Sequence, residues 1–204
     1  MGELKVLITT SGIGSRLGEL TDFTNKSLVR VGSKPIITRI IESYPPKSHF
    51  VVTTGYYGSH VKEYLSIAHP NQKFTFVEVD KYSGPGSSQL YSMHCAKEYL
   101  QCPFIFHACD TLAEGHISTL DRDWIAASEV DNADQYRTLR INSLLKFEGF
   151  NKKGELTFDY AYPGICGIKN YELFWECLEE ILSSSKIKNL SDCDVINKMV
   201  EHYY

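Results

Sequence analysis

The opening of the chain groups residue types that together handle phosphate: Ser11-Gly12-Ile13-Gly14-Ser15-Arg16-Leu17, then Asn25-Lys26-Ser27-Leu28, then Lys34-Pro35-Ile36-Ile37. Glycines let backbone N–H groups close on phosphate oxygens, and the cations of Arg16 and Lys26 offset the charge. A second glycine turn, Gly84-Pro85-Gly86-Ser87-Ser88-Gln89, precedes an apolar-periodic segment. Its polar side chains suit helix capping, and the Gln89 amide, both donor and acceptor, equally suits the edge of a nucleobase. Asp110 ends the run Phe104-Ile105-Phe106-His107-Ala108-Cys109. That puts a carboxylate at the C-terminal end of a strand, where open α/β sheets bind ligands; the plainer role is a cap before Thr111.

These groups need elements to hold them. Residues 5–9 read as a buried strand running into the glycine loop. Apolar spacing predicts helices over 36–44, 58–68 and 87–100, and strands over 50–53, 74–79 and 104–107. Strict alternation of strand and helix predicts a parallel sheet covered on both faces. The second half differs. Residues 136–147 and 157–168 look extended, with Lys152-Lys153-Gly154 as the turn of a hairpin-like insertion. Helices over 171–182 and 192–202 close the chain. Ser191 is the expected N-cap of the last, with Asp194 at the capping-box position and Asp192 also read as a cap. The expected fold class is α/β: a Rossmann-like, mixed, mostly parallel sheet with helices on both faces. No repeat, low-complexity segment or linker interrupts it, so one domain over residues 1–204 is the economical expectation.

Composition narrows the partners. The 204 residues suffice for one sizeable core, and 43% apolar with 23% charged residues is ordinary for a globular protein. A net charge of −4 without a basic stripe argues against a nucleic-acid partner. Apolar runs fall far short of a membrane span, and the polar stretch from Ser11 to Arg16 interrupts any signal-peptide pattern. The expected location is the cytoplasm. Six cysteines contain no C-x-x-C pair and seven histidines no H-x-x-H or H-x-x-x-H pair, so zinc is not signalled and reduced, buried thiols are expected.

Three phosphate-binding loops compete for residues 11–37. A P-loop requires Gly-Lys-Ser/Thr, which is absent. A Rossmann dinucleotide loop requires G-x-G-x-x-G opening a helix and an acidic residue ending the second strand. Here Leu17 stands in the third glycine's place, and the second strand ends Thr53-Thr54-Gly55. The third, a long loop carrying Gly12, Gly14, Arg16 and Lys26 around a nucleoside triphosphate, fits best. At this point the chain resembles the sugar-phosphate nucleotidyltransferases, including the bacterial phosphocholine cytidylyltransferases. The likeness rests on G-x-G-S-R-L, a Thr-rich spacer with Thr21 and Thr24, Lys26-Ser27-Leu28 and Lys34-Pro35. Gly55-Tyr56, the 84–88 turn, Asp110 and Tyr162-Pro163-Gly164-Ile165-Cys166-Gly167 extend it over most of the chain.

The resemblance implies transfer of a nucleoside monophosphate from an NTP to a phosphorylated small molecule with release of pyrophosphate. The acceptor would be a sugar 1-phosphate, as in nucleotide-sugar supply for cell-surface polysaccharide. The sibling branch would use phosphocholine or another phospho-alcohol, and a third expectation is a weakly active nucleotide-binding module. It implies Mg2+ as cofactor, held by Asp110. Arg16 would hold the leaving pyrophosphate and Lys26 the transferring phosphoryl. Ser11, Gly12, Gly14, Ser15, Gly86, Ser87 and Gln89 would bind the nucleotide, and Tyr162 and Gly164 would lie beside the acceptor. Lys34 is read either as part of the site or as an exposed helix-start lysine. Tyr82, Tyr91, Tyr136, Tyr160 and Tyr162 are read either as core or as an aromatic cage for a quaternary amine. NTP and acceptor are the expected partners; nucleic acid and membrane are not, and a homo-oligomer is left open. The family supplies a second acidic metal ligand after the last crossover helix, where this chain ends at Tyr203-Tyr204. The expectation is therefore a longer parent protein, a substitute acid from earlier in the chain, or an impaired site.

Overall fold

A computed structural model of the chain describes residues 3–114, 117, 120–134, 136–144, 146–151, 157–184 and 190–203. In chain order its elements are β1 (Lys5–Thr9), β2 (Arg30–Val31), β3 (Lys34–Pro35), α1 (Ile36–Glu42), β4 (His49–Thr54), α2 (Gly58–Ala68), β5 (Lys73–Glu78), α3 (Gln89–Cys95) and β6 (Phe104–Ala108). There follow β7 (Trp124–Ile125), β8 (Arg137–Ile141), β9 (Phe147–Phe150), β10 (Tyr160–Tyr162), β11 (Ile165–Ile168), α4 (Tyr171–Ser184) and α5 (Asp192–Tyr203).

The main sheet has the order β5-β4-β1-β6-β11-β7. β5, β4, β1 and β6 run parallel; β11 lies antiparallel to β6, and β7 antiparallel to β11. Both faces are covered, as the continuous apolar runs of its strands require. The period-two alternation of β1 shows this directly. Leu7 packs on one side with Phe106, Leu90, Met93 and Phe174; Val6 and Ile8 pack on the other with Ile37, Ile40, Phe50 and Leu65. The Trp175 indole N–H donates to the Leu100 carbonyl at 3.0 Å and locks α4 over the first of these layers.

Three expectations change. The helix over 87–100 is shorter: α3 ends at Cys95, the Ala96 N–H bonds back to Met93, and the chain tightens into a 3-10 turn over Lys97–Tyr99. Residues 136–147 are not one extended segment. β8 turns back into β9 at Asn142, whose Oδ1 accepts the N–H groups of Leu144 and Lys146 at 2.9 and 3.1 Å. Residues 157–168 split at Pro163-Gly164. β10 joins a small antiparallel sheet, β10-β8-β9, and β11 enters the main sheet. The turn expected at Lys152-Lys153-Gly154 lies outside the described residues.

Candidate functional site

A cavity of about 660 Å3 opens at the C-terminal ends of β1 and β6. Ser11, Gly12, Arg16, Lys26, Ser87 to Gln89 and Asp110 line it, together with Tyr136, Arg137, Tyr162, Gly164 and Asp192. Strand order explains the meeting. β1 and β6 are neighbours in parallel register, Thr9 opposite Ala108, so the loops that leave them emerge side by side.

Lys26 Nζ lies 3.0 Å from Asp110 Oδ2, with the lysine side chain 24% and the aspartate 57% exposed. Burial alone would lower the Lys26 ammonium. The adjoining Cys109 sulfur and Asp110 carboxylate more than offset that and hold it above the ordinary lysine range. The glycine loop packs against the same lysine. Gly14 adopts φ +75°, and a Cβ built on it would sit 2.9 Å from Lys26 Cβ. Arg16 is exposed on the cavity wall, without a hydrogen bond or ion pair among the described residues.

Behind Asp110, buried His107 fixes the turn. The Tyr44 hydroxyl donates to its Nδ1 at 2.8 Å, and its Nε2–H donates to the Thr111 carbonyl at 3.1 Å. A carbonyl can only accept, so the tautomer is set. Burial pushes the imidazole down to about 4, and it stays neutral at physiological pH. Across the turn, the Ala108 N–H donates to the Gly164 carbonyl at 2.8 Å. Gly164 has φ +89°, and a Cβ there would come within 2.8 Å of Ala108 Cβ.

Ser87 and Ser88 line the cavity and are also held locally. Ser88 caps α3, its Oγ accepting the Tyr91 N–H at 3.0 Å, and the Ser87 hydroxyl donates to the Gly84 carbonyl at 2.7 Å. The Gln89 amide lines the cavity with no partner among the described residues. Buried Ser11 shares a 2.7 Å hydrogen bond with Ser92 of α3, tying the glycine loop to that helix. Gly14, Ser15 and Gly86 are not on the cavity wall. Lys34 is not either: it pairs with Glu42 at 2.7 Å on the surface. Of the five tyrosines, Tyr82, Tyr136 and Tyr162 line the cavity. Tyr91 instead donates to Asp80 at 2.7 Å, and Tyr160 faces a different cavity.

Asp194 is the cap the spacing predicted, its Oδ2 accepting the Ser191 N–H at 2.7 Å. Asp192 is not merely a second cap. It is 4% exposed, lines the cavity, and accepts the Tyr162 hydroxyl at 2.6 Å. Burial raises its carboxyl to about 6, against the opposing pull of that hydrogen bond. Arg137 was not expected in the site at all. It arrives because β8 pairs with β10, Arg137 opposite Tyr162, and no feature of the sequence signals that pairing. Among the described residues no three His, Cys, Asp or Glu side chains cluster as a metal cage, and no helix is long and apolar enough to cross a membrane.

No family model matches the chain. It is 26% identical over 206 residues to the bifunctional protein GlmU of Methanococcus maripaludis, covering 97% of this chain and 47% of that protein. It is 30% identical over 107 residues to the choline-phosphate cytidylyltransferase of Streptococcus pneumoniae, covering 52% of this chain and 44% of the other. The chain thus spans about half the length of the curated relatives it matches. Its fold matches the solved CTP:phosphocholine cytidylyltransferase of Streptococcus pneumoniae with a TM-score of 0.80 at 20% identity, over 98% of this chain and 87% of that one.

Proposed function

We propose that the chain is a nucleotidyltransferase: it transfers a nucleoside monophosphate from an NTP to a phosphorylated small molecule and releases pyrophosphate, a reading supported by its likeness to a choline-phosphate cytidylyltransferase. The observation that carries this is the convergence of Arg16, Lys26 and Asp110 on one cavity at the C-terminal ends of β1 and β6. An oxygen of the acceptor phosphate attacks the α-phosphorus in line. The bond from the α-phosphorus to the bridging oxygen breaks, and pyrophosphate leaves with that electron pair. The nucleophile is already anionic, so no general base is needed. The task is to bring two anions together, and cations perform it. Lys26 steadies the transferring phosphoryl, while Arg16 and the backbone amides around Gly12 hold the departing pyrophosphate.

Asp110 would hold Mg2+. It is a half-exposed oxygen donor on the wall, and a hard cation of this kind takes one or two carboxylates and completes its shell with phosphate and water. When bound, the ion supplies charge neutralisation between carboxylate and phosphate. The Gln89 amide faces the nucleobase, and a cytoplasmic location accords with such substrates.

Two acceptor classes separate at Asp192 and Tyr162. A sugar 1-phosphate would place hydroxyls against them. A specific observation favours the sibling class: a buried carboxylate hydrogen-bonded to Tyr162, in a cavity that Tyr82 and Tyr136 also line, suits the cationic end of phosphocholine or a related phospho-alcohol. Pyrophosphate release over a grid of NTPs and acceptors, with and without Mg2+, tests both. Turnover with an amine-bearing acceptor supports the second class, and turnover with sugar 1-phosphates alone supports the first. NTP binding without turnover in any cell of the grid would leave a nucleotide-binding module.

A further inference from the structure

Asn25, the residue before Lys26, has no exposed surface, and its side chain uses its whole hydrogen-bonding capacity. The Nδ2 amide donates to the carbonyls of Thr10 and Tyr56, each at 2.7 Å. Oδ1 accepts the N–H and the hydroxyl of Ser27 at 3.0 and 2.8 Å. Thr10 is the first residue beyond β1, and Tyr56 lies in the turn beyond β4. One side chain therefore fastens the loop to the ends of two neighbouring strands and caps the single 3-10 turn, Lys26–Leu28, that carries the lysine. Just before it, Asp22 and Phe23 are exposed, Phe23 by 83%, and the Asp22 carbonyl is held from the surface by the Tyr56 and Tyr57 hydroxyls at 3.3 and 3.1 Å.

We propose that Asn25 is the positioning residue for Lys26. This rests on the phosphoryl role given to Lys26 above. Lysine has a long, flexible stem, so the place its ammonium can reach depends on where its backbone is anchored. Asn25 supplies that anchor from the parallel sheet, through the carbonyls that follow β1 and β4. Its removal leaves the carbonyls of Thr10 and Tyr56 without this donor and lets the lysine backbone drift. A drift of about 1 Å costs on the order of 10²-fold in a step that depends on placement, without removing any group that grips the NTP. A purely structural asparagine would lower stability and leave the balance between binding and turnover unchanged.

The test is a double-mutant cycle on turnover, with NTP affinity by calorimetry and a thermal melt to confirm folding. Asn25→Ala is expected to lose about 30-fold or more in turnover, keep its NTP dissociation constant within about threefold, and add less than about threefold when combined with Lys26→Ala. Losses that multiply in the double variant overturn the proposal, as does a folded Asn25→Ala with turnover within about threefold of wild type. If Asn25→Ala does not fold, Ser27→Ala removes one donor to Asn25 Oδ1 in its place. A loss of roughly three- to tenfold that disappears on Lys26→Ala supports the proposal, and a multiplicative loss overturns it. Should wild type release no pyrophosphate with any substrate pair, the functional reading fails separately, and acetylation of the Lys26 amine reads the same geometry. Lys26 should be labelled more slowly than Lys34 in wild type and faster in the Asn25 or Ser27 variant; an unchanged ratio overturns the proposal.

Discussion

The Lys26–Asp110 pair and the Asp192–Tyr162 pair of the cavity are built by opposite rules. Lys26 and Asp110 meet across 84 residues because two parallel strands deliver their loops side by side, and opposite charges pair in a half-open setting. Asp192 is buried with a phenol and no cation within ion-pair distance among the described residues. The first arrangement partly desolvates Lys26 and offsets that with the Asp110 charge beside it. The second carries a desolvated carboxylate whose charge the fold alone does not compensate. Substitutions at Lys26 and Asp110 should therefore register in turnover, and those at Asp192 in stability and pH dependence.

The largest effect that would sharpen this contrast is Asp110→Asn. The amide keeps the size and loses the charge a hard cation needs, so Mg2+-dependent activity should vanish while the melting temperature barely moves. If Asp110 were only a cap, activity would persist and stability would fall by about 1 kcal/mol or less. Next comes Lys26→Ala, expected to cut turnover by about 10²-fold or more with NTP affinity nearly kept. Turnover within about threefold of wild type would break the contrast at its strongest point.

Asp192→Asn tests the other pair. The folded-state carboxyl sits at about 6, above its ordinary 3.8, so the native state binds the proton more tightly than the unfolded chain does. Stability supplied by this group is complete below the ordinary value and is lost as pH rises through about 6. The variant should match wild type near pH 4 and exceed it near pH 7.5, by up to roughly 3 kcal/mol, as read by denaturant titration at both pH values. Mg2+ affinity should not change. A destabilised variant at pH 7.5 would mean that the ionised carboxylate is matched after all. The smallest effect belongs to Arg16→Lys, which keeps the charge and loses the planar fork. NTP binding should weaken by roughly five- to tenfold in calorimetry, and an unchanged affinity would place Arg16 in bulk solvent.

The same contrast governs how much was legible in the chain. Strands buried on both faces announce themselves as apolar runs, so β1, β4 and β6 fall within a residue or two of expectation, and Asp110 stands where the end of such a run puts it. The small sheet hides its logic. Asn142 looked like one more polar residue in an extended segment, yet its side chain folds β8 back onto β9. Arg137 and Asp192 reach the cavity only through β8–β10 pairing and the docking of α5, contacts with no local signature. Tyr91 and Tyr160 show the limit of residue type: both are aromatic, and neither lies on this wall. Asn25 drew no reading of its own from the sequence. A buried clasp and a solvated loop residue share the same letter, and burial is a tertiary property.

The near-contact between Gly14 and Lys26 has a consequence for descent. With 2.9 Å between the glycine's virtual Cβ and the lysine's real one, any side chain at position 14 must displace the backbone that carries Lys26. Selection acting on the lysine thus reaches the glycine through space, although the glycine lies off the cavity wall. Loss of Lys26 would relieve that contact but not the φ of +75° at Gly14, so alanine or serine stays strained there and, across homologous sequences, the glycine should outlast the lysine. Constancy at Gly14 would then record a backbone conformation and a close neighbour, and carry no information about what the loop itself binds.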